Sequence, residues 1–94
     1  MNRNIIKNKE LVERTIRDQL ILVPLKTAPA RLDALYTLNE AASLLWKEID
    51  GETTEAQLVT RLLAEYEVDE PTARQDVDRI LNELATIGAV TLTP

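Results

Sequence analysis

The 94 residues include no cysteine, no histidine and no phenylalanine, and only two glycines. Without cysteine there is no disulfide framework and no thiolate chemistry. Without histidine the commonest general base near neutral pH is missing, and with both gone so are the usual soft metal ligands. Two glycines, Gly51 and Gly88, leave no glycine-rich phosphate loop. Long apolar runs are absent as well. The longest, residues 20–25, contains Pro24 and is far too short to cross a bilayer. With no apolar signal segment either, the expected compartment is the cytoplasm.

Positive charge is also scarce, with 11 basic against 16 acidic side chains and a net charge of −5. The basic residues open the chain at Arg3, Lys7 and Lys9, whereas the acids gather after residue 40. An acidic helical half opposes contact with nucleic-acid phosphates, which relies on Lys and Arg. A basic peptide is the better electrostatic match.

What remains is enough for one small domain. With Trp46 as the only large ring, the core must rest on Leu, Ile, Val and Ala, and Trp46 is expected inside it. Residues 1–10 are polar and basic apart from Ile5 and Ile6, and read as a flexible arm ahead of a single domain over 11–94. Residues 11–16 and 20–25 carry the β-branched side chains of a hairpin, with Arg17, Asp18 and Gln19 as its polar connection. Pro24 belongs at a strand end or an edge. Residues 26–34 lack periodicity and read as a loop, after which residues 35–38 form a third strand.

Asn39 is suited to capping the helix that follows, since its side-chain oxygen can accept from the first-turn amides. Ala41, Ala42, Leu45, Trp46 and Ile49 recur at helical spacing over 40–49, and Asp50–Gly51 ends the run. For the second helix Thr53 is the preferred cap, with Thr54 and Gln57 as the other possibility. Its stripe is Leu58, Val59, Leu62, Leu63 and Tyr66. Asp69 and Pro71 start a third helix with the stripe Ala73, Val77, Ile80, Leu81, Leu84 and Ile87, and Gly88 stops it. Residues 89–92 form a short strand or a capping tail. The fold class is therefore α+β: three N-terminal β-strands followed by three α-helices, resembling a winged helix-turn-helix.

No catalytic set emerges. Glu48, Asp50 and Glu52 cluster at the end of the first helix, but their spacing does not match a calcium loop, and a solvated surface is the expectation. No cofactor, no metal and no enzymatic activity are expected.

The segment LYTLNEAASLLWKEIDGETT, followed by EYEVDE and DVDRILNELATIGAV, resembles the proteins related to PqqD, the small protein of pyrroloquinoline quinone biosynthesis. The most specific pieces are Leu38–Asn39 with Ala41–Ala42, Trp46, Asp50–Gly51 and Thr53, and then Tyr66, Asp69, Asp76–Val77, Leu81, Leu84 and Gly88–Ala89–Val90. The resemblance implies a non-catalytic recognition domain for ribosomally made, post-translationally modified peptides. In that family a precursor's leader segment adds a strand to the third strand, in the cleft beside the third helix. The domain thereby presents the leader to a modifying enzyme, in the quinone pathway a radical S-adenosylmethionine protein whose cofactors are its own. Carried onto this chain, the peptide-binding residues are Leu35, Tyr36, Thr37 and Leu38 on the strand and Arg74, Asp78 and Leu81 on the helix. Strand addition of this kind draws affinity from backbone hydrogen bonds and specificity from neighbouring pockets.

Two other readings compete. A winged-helix DNA-binding or regulatory protein needs a recognition helix rich in base-reading side chains. Here Arg74, Gln75, Arg79 and Asn82 are offset by Glu70, Asp76, Asp78 and Glu83, so no nucleic-acid partner is expected, nor a membrane. A small adaptor that forms a homodimer through the free sheet edge is the other reading, and that dimer would occlude the peptide groove.

Overall fold

Leu20 and Leu22 are buried while Ile21 and Val23 are half-buried, the two-residue period of a strand with one face on a core. The computed structural model describes residues 3–9, 11–24 and 36–93. In it the chain runs β1 (Asn4–Lys7), β2 (Leu11–Ile16), β3 (Gln19–Pro24), β4 (Tyr36–Leu38), α1 (Glu40–Glu48), α2 (Glu55–Glu65), α3 (Glu70–Thr86) and β5 (Val90–Thr93). An antiparallel sheet in the order β2-β3-β4 carries the expected hairpin and the short strand after it. Three helices follow and cover it, giving the α+β winged-helix-like arrangement. The expected loop over 26–34 and Leu35 lie outside the described residues.

The hairpin turn is tighter than the sequence reading. Gln19 already pairs with Ile16, so only Arg17 and Asp18 connect the strands. Both take left-handed backbone angles, φ 52° and 67°, as a two-residue turn that follows the strand twist requires. Neither is glycine, so the turn carries strain that Asn–Gly would relieve.

The amino-terminal segment differs most from expectation. Instead of a frayed arm, Asn4–Lys7 is a strand paired antiparallel with β5, from Asn4 opposite Thr93 to Lys7 opposite Val90. Ile5 is 1% exposed within the core and Ile6 on the other face is 51% exposed. The strand extends the core because β5 lies against α3, giving Ile5 an apolar wall. Asn8 fixes the return, its backbone N–H donating to the Ala89 carbonyl and its side-chain Nδ2 to that of Gly88. The residues after α3 thus form a strand and not a loose tail.

Helix boundaries follow local chemistry. Asn39 Oδ1 accepts from the Ala42 N–H at 2.8 Å, and Asp69 Oδ1 accepts from Thr72 at 2.9 Å with Pro71 in the first turn behind it. The cap bonds hold the Asp69 carboxyl below its ordinary range. The cap of α2 is Thr54, not Thr53. Thr54 and Gln57 exchange side-chain and backbone bonds in a capping box. Thr53 is buried with its hydroxyl 2.6 Å from the Glu48 carbonyl and 2.7 Å from Asp50 Oδ1, closing the end of α1 instead. On α2 the buried stripe is Leu58 and Leu62, with Val59 and Tyr66 partly covered; Leu63, 37% exposed, falls outside it.

Trp46 sits under the sheet as expected, buried with Leu45, Leu20, Leu22 and Leu38 in one cluster. Its indole N–H donates to Glu13 Oε1 on β2 at 2.9 Å. The Lys7 ammonium lies 4.3 Å above the ring and 3.8 Å from the same carboxylate. Burial pushes the Lys7 pKa down, with Glu13 opposing that shift.

Candidate functional site

β4 is three residues long and bonded to β3 alone, which leaves its other side as a sheet edge among the described residues. Tyr36 and Leu38 turn toward the core, Tyr36 half-buried and Leu38 buried, while Thr37 is exposed between them. No charged side chain stands on this strand. A sheet edge offers unpaired backbone donors and acceptors at regular spacing, and proteins ordinarily guard such edges with charge, proline or cover. The opposite edge, β2, carries Glu13 and Arg14 and ends in the Arg17–Asp18 turn.

The residues expected from the sequence are only partly brought together. Tyr36, Thr37 and Leu38 form the strand as expected, and Leu35 is outside the described residues. On α3, Arg74 and Asp78 are exposed one turn apart, and each is engaged within the chain. Arg74 reaches Glu70 Oε2 at 2.9 Å, one helical turn back. Asp78 accepts from the Arg3 guanidinium at 2.9 Å and from Asn82 Nδ2 at 3.2 Å. Leu81 is 0% exposed and belongs to the core cluster.

Arg3 does more than meet Asp78. Its guanidinium makes a two-pronged contact with Glu55 at 2.9 and 3.0 Å, and its backbone N–H donates to the same carboxylate at 2.8 Å. These bonds hold the Glu55 carboxyl below its ordinary range against the opposing effect of burial, and raise the Arg3 pKa in return. The clamp joins the start of β1 to α2 and α3. Its sequence signal was the isolated basic charge of the arm facing an acidic helical half, a pairing across more than fifty positions that no local pattern reveals.

A groove of about 410 Å³ opens at the Leu38 end of β4. Leu38, Leu44 and Tyr66 supply its apolar surface, and Asp18, Glu40 and Glu65 stand around it. The Tyr66 pKa is raised by burial first and then by Glu40 and Glu65, which places the phenol in a negative field. Sequence reasoning missed this groove because its walls come from the hairpin turn, the start of α1 and the end of α2. Among the described residues no group of three His, Cys, Asp or Glu side chains is arranged to hold a metal ion, and no helix is long and apolar enough to cross a membrane.

Fold and edge together define a small winged-helix-like α+β domain with an uncharged strand at one edge of its three-stranded sheet. A family model for coenzyme PQQ synthesis protein D (PqqD) matches residues 19–90, and the chain belongs to that family. Two solved structures share the architecture. TbiB1, in complex with the TbiA(beta) leader peptide, is 25% identical, with a TM-score of 0.76 over 90% of this chain and 93% of its own. A lasso peptide synthetase B1 complexed with the leader peptide is 19% identical, with a TM-score of 0.78 over 94% of this chain and 98% of its own, a likeness of fold. No curated protein matches the chain at a significant level.

Proposed function

We propose that this chain is a non-catalytic recognition module that takes up the leader segment of a ribosomally made precursor peptide as an added strand on β4. The observation that carries the reading is the short, uncharged edge of β4 in a sheet whose other edge is charged. Membership of the PqqD family supports it, as does a relative that is 25% identical and was solved with a leader peptide bound. Backbone groups of Leu35, Tyr36, Thr37 and Leu38 pair with the incoming chain, and α3 forms the far wall of the cleft. Arg74 and Asp78 meet peptide charges by exchanging them for Glu70 and Arg3, and Leu81 supports that wall from within the core. The module hands the leader to a modifying enzyme, of the radical S-adenosylmethionine class if the quinone pathway is its setting, and works in the cytoplasm where the precursor is made.

Titration of isotope-labelled protein with leader peptides encoded beside its gene tests this. Amide shifts are expected at residues 35–38 and 74–81, and N-methylation of the peptide backbone at alternate residues abolishes them. Shifts confined elsewhere overturn the reading. A homodimer formed through β4 predicts instead a concentration-dependent mass and no peptide response.

A further inference from the structure

The groove at the Leu38 end of β4 is continuous with the proposed acceptor strand, because Leu38 is both the last residue of β4 and part of the groove lining. We propose that this groove receives a lysine or arginine side chain of the bound peptide, next to its strand-forming segment. This inference rests on the strand-addition reading and adds to it the chemistry of one recognised side chain.

Three features argue for a long basic residue and against an acidic or purely apolar one. The lining is half apolar, with Leu38, Leu44 and the Tyr66 ring offering a surface for a methylene stem. Its rim is acidic: Glu65 is shared with Arg61 at 3.1 Å, whereas the Asp18 and Glu40 carboxylates have no ion pair among the described residues. Among the described residues the one cation of the lining is Lys47, seven residues beyond Glu40 on α1 and about 10 Å along the helix axis. Glu40 opens α1, where the helix amino terminus offsets part of its charge, and no ion pair among the described residues neutralises the rest. Asp18 sits in the left-handed turn at the hairpin tip and lines the groove together with Glu40. An aliphatic stem on the leucines and tyrosine with its cationic head between Asp18, Glu40 and Glu65 satisfies both halves of the lining. An acidic side chain would meet the same field as repulsion.

The test uses the intact chain and phage-displayed random 15-residue peptides, with the enriched sequences then synthesised. Enrichment of Lys or Arg at one fixed offset from an apolar segment is expected, with amide shifts at residues 36–38, 40–44 and 66. Glu40→Gln and Asp18→Asn should each weaken binding about three-fold, the range of a partly exposed ion pair. Replacing the peptide's basic residue by glutamine should lower affinity similarly and make Glu40→Gln silent, and this arm leaves the protein unaltered. Peptides that shift residues 36–38 but show no basic preference and ignore both substitutions overturn the groove assignment and leave strand addition standing. Failure to enrich any peptide that shifts residues 36–38 overturns both.

Discussion

Along β2 the open side of the sheet runs through Glu13 and Arg14 into Arg17 and Asp18, charges of both signs; along β4 it runs through Tyr36, Thr37 and Leu38 without one. The two strands flank the same β3 and share one core, so burial alone does not explain the contrast. Charge on an edge makes a foreign backbone desolvate it in order to pair, which keeps β2 solitary. β4 lacks that protection. Among the described residues the same sheet therefore holds one edge guarded by charge and one without it, and strand addition is expected at the second.

The largest test concerns what anchors the closed edge. Trp46 fills the space under the sheet and its N–H is bonded to Glu13 on β2. Trp46→Ala should cost about 3–5 kcal/mol in urea unfolding, threatening the fold of a domain of this size. A loss below about 1 kcal/mol would contradict that placement.

Making the open edge resemble the closed one is the direct inversion. Thr37→Lys places a charge at the exposed centre of β4 and should weaken leader binding about ten-fold, roughly 1.4 kcal/mol. Being a solvent-facing change it should move stability by less than about 0.5 kcal/mol. Calorimetric titration and thermal melts separate the two. The reverse change, Arg14→Thr, strips charge from β2 and should raise self-association in sedimentation measurements.

Next is the clamp that secures the strand outside this sheet. Arg3→Ala should cost about 1 kcal/mol, since its carboxylate partners are only partly shielded. Its pH dependence identifies the cause. Glu55 titrates below its ordinary value of 4.5 in the folded chain, so the clamp's contribution is complete above about that pH and fades as pH falls through the lower folded value. Arg3→Ala should flatten that acid-side decline in unfolding free energy. The smallest effect is at the tip of β2–β3: replacing Arg17–Asp18 by Asn–Gly should stabilise by roughly 0.5–1 kcal/mol, by removing left-handed strain.

Sequence legibility followed distance along the chain. Asn39, Asp69 and Pro71 announced their helices because a cap bonds three residues away. The hairpin was readable from its β-branched runs, and the sheet's third strand from its position before Asn39. Thr53 and Thr54 are equally good caps in isolation, and the choice fell to Thr54 because the Thr53 hydroxyl closes the end of α1. β1 was hidden because its partner, β5, lies at the other end of the chain. On α3, Arg74 and Asp78 were expected to meet a peptide; within the chain Glu70 and Arg3 engage them, partners that the resemblance did not indicate. The groove was illegible for the same reason, since no periodicity relates Asp18 to Tyr66.

Pairing Asn4 with Thr93 sets the beginning and end of the described chain side by side, about 5 Å apart. A unit whose entrance and exit coincide can be spliced into a surface loop of a host protein without stretching either. New ends opened between α1 and α2, with the old ones joined by a few glycines, should give a circular permutant that keeps its shape.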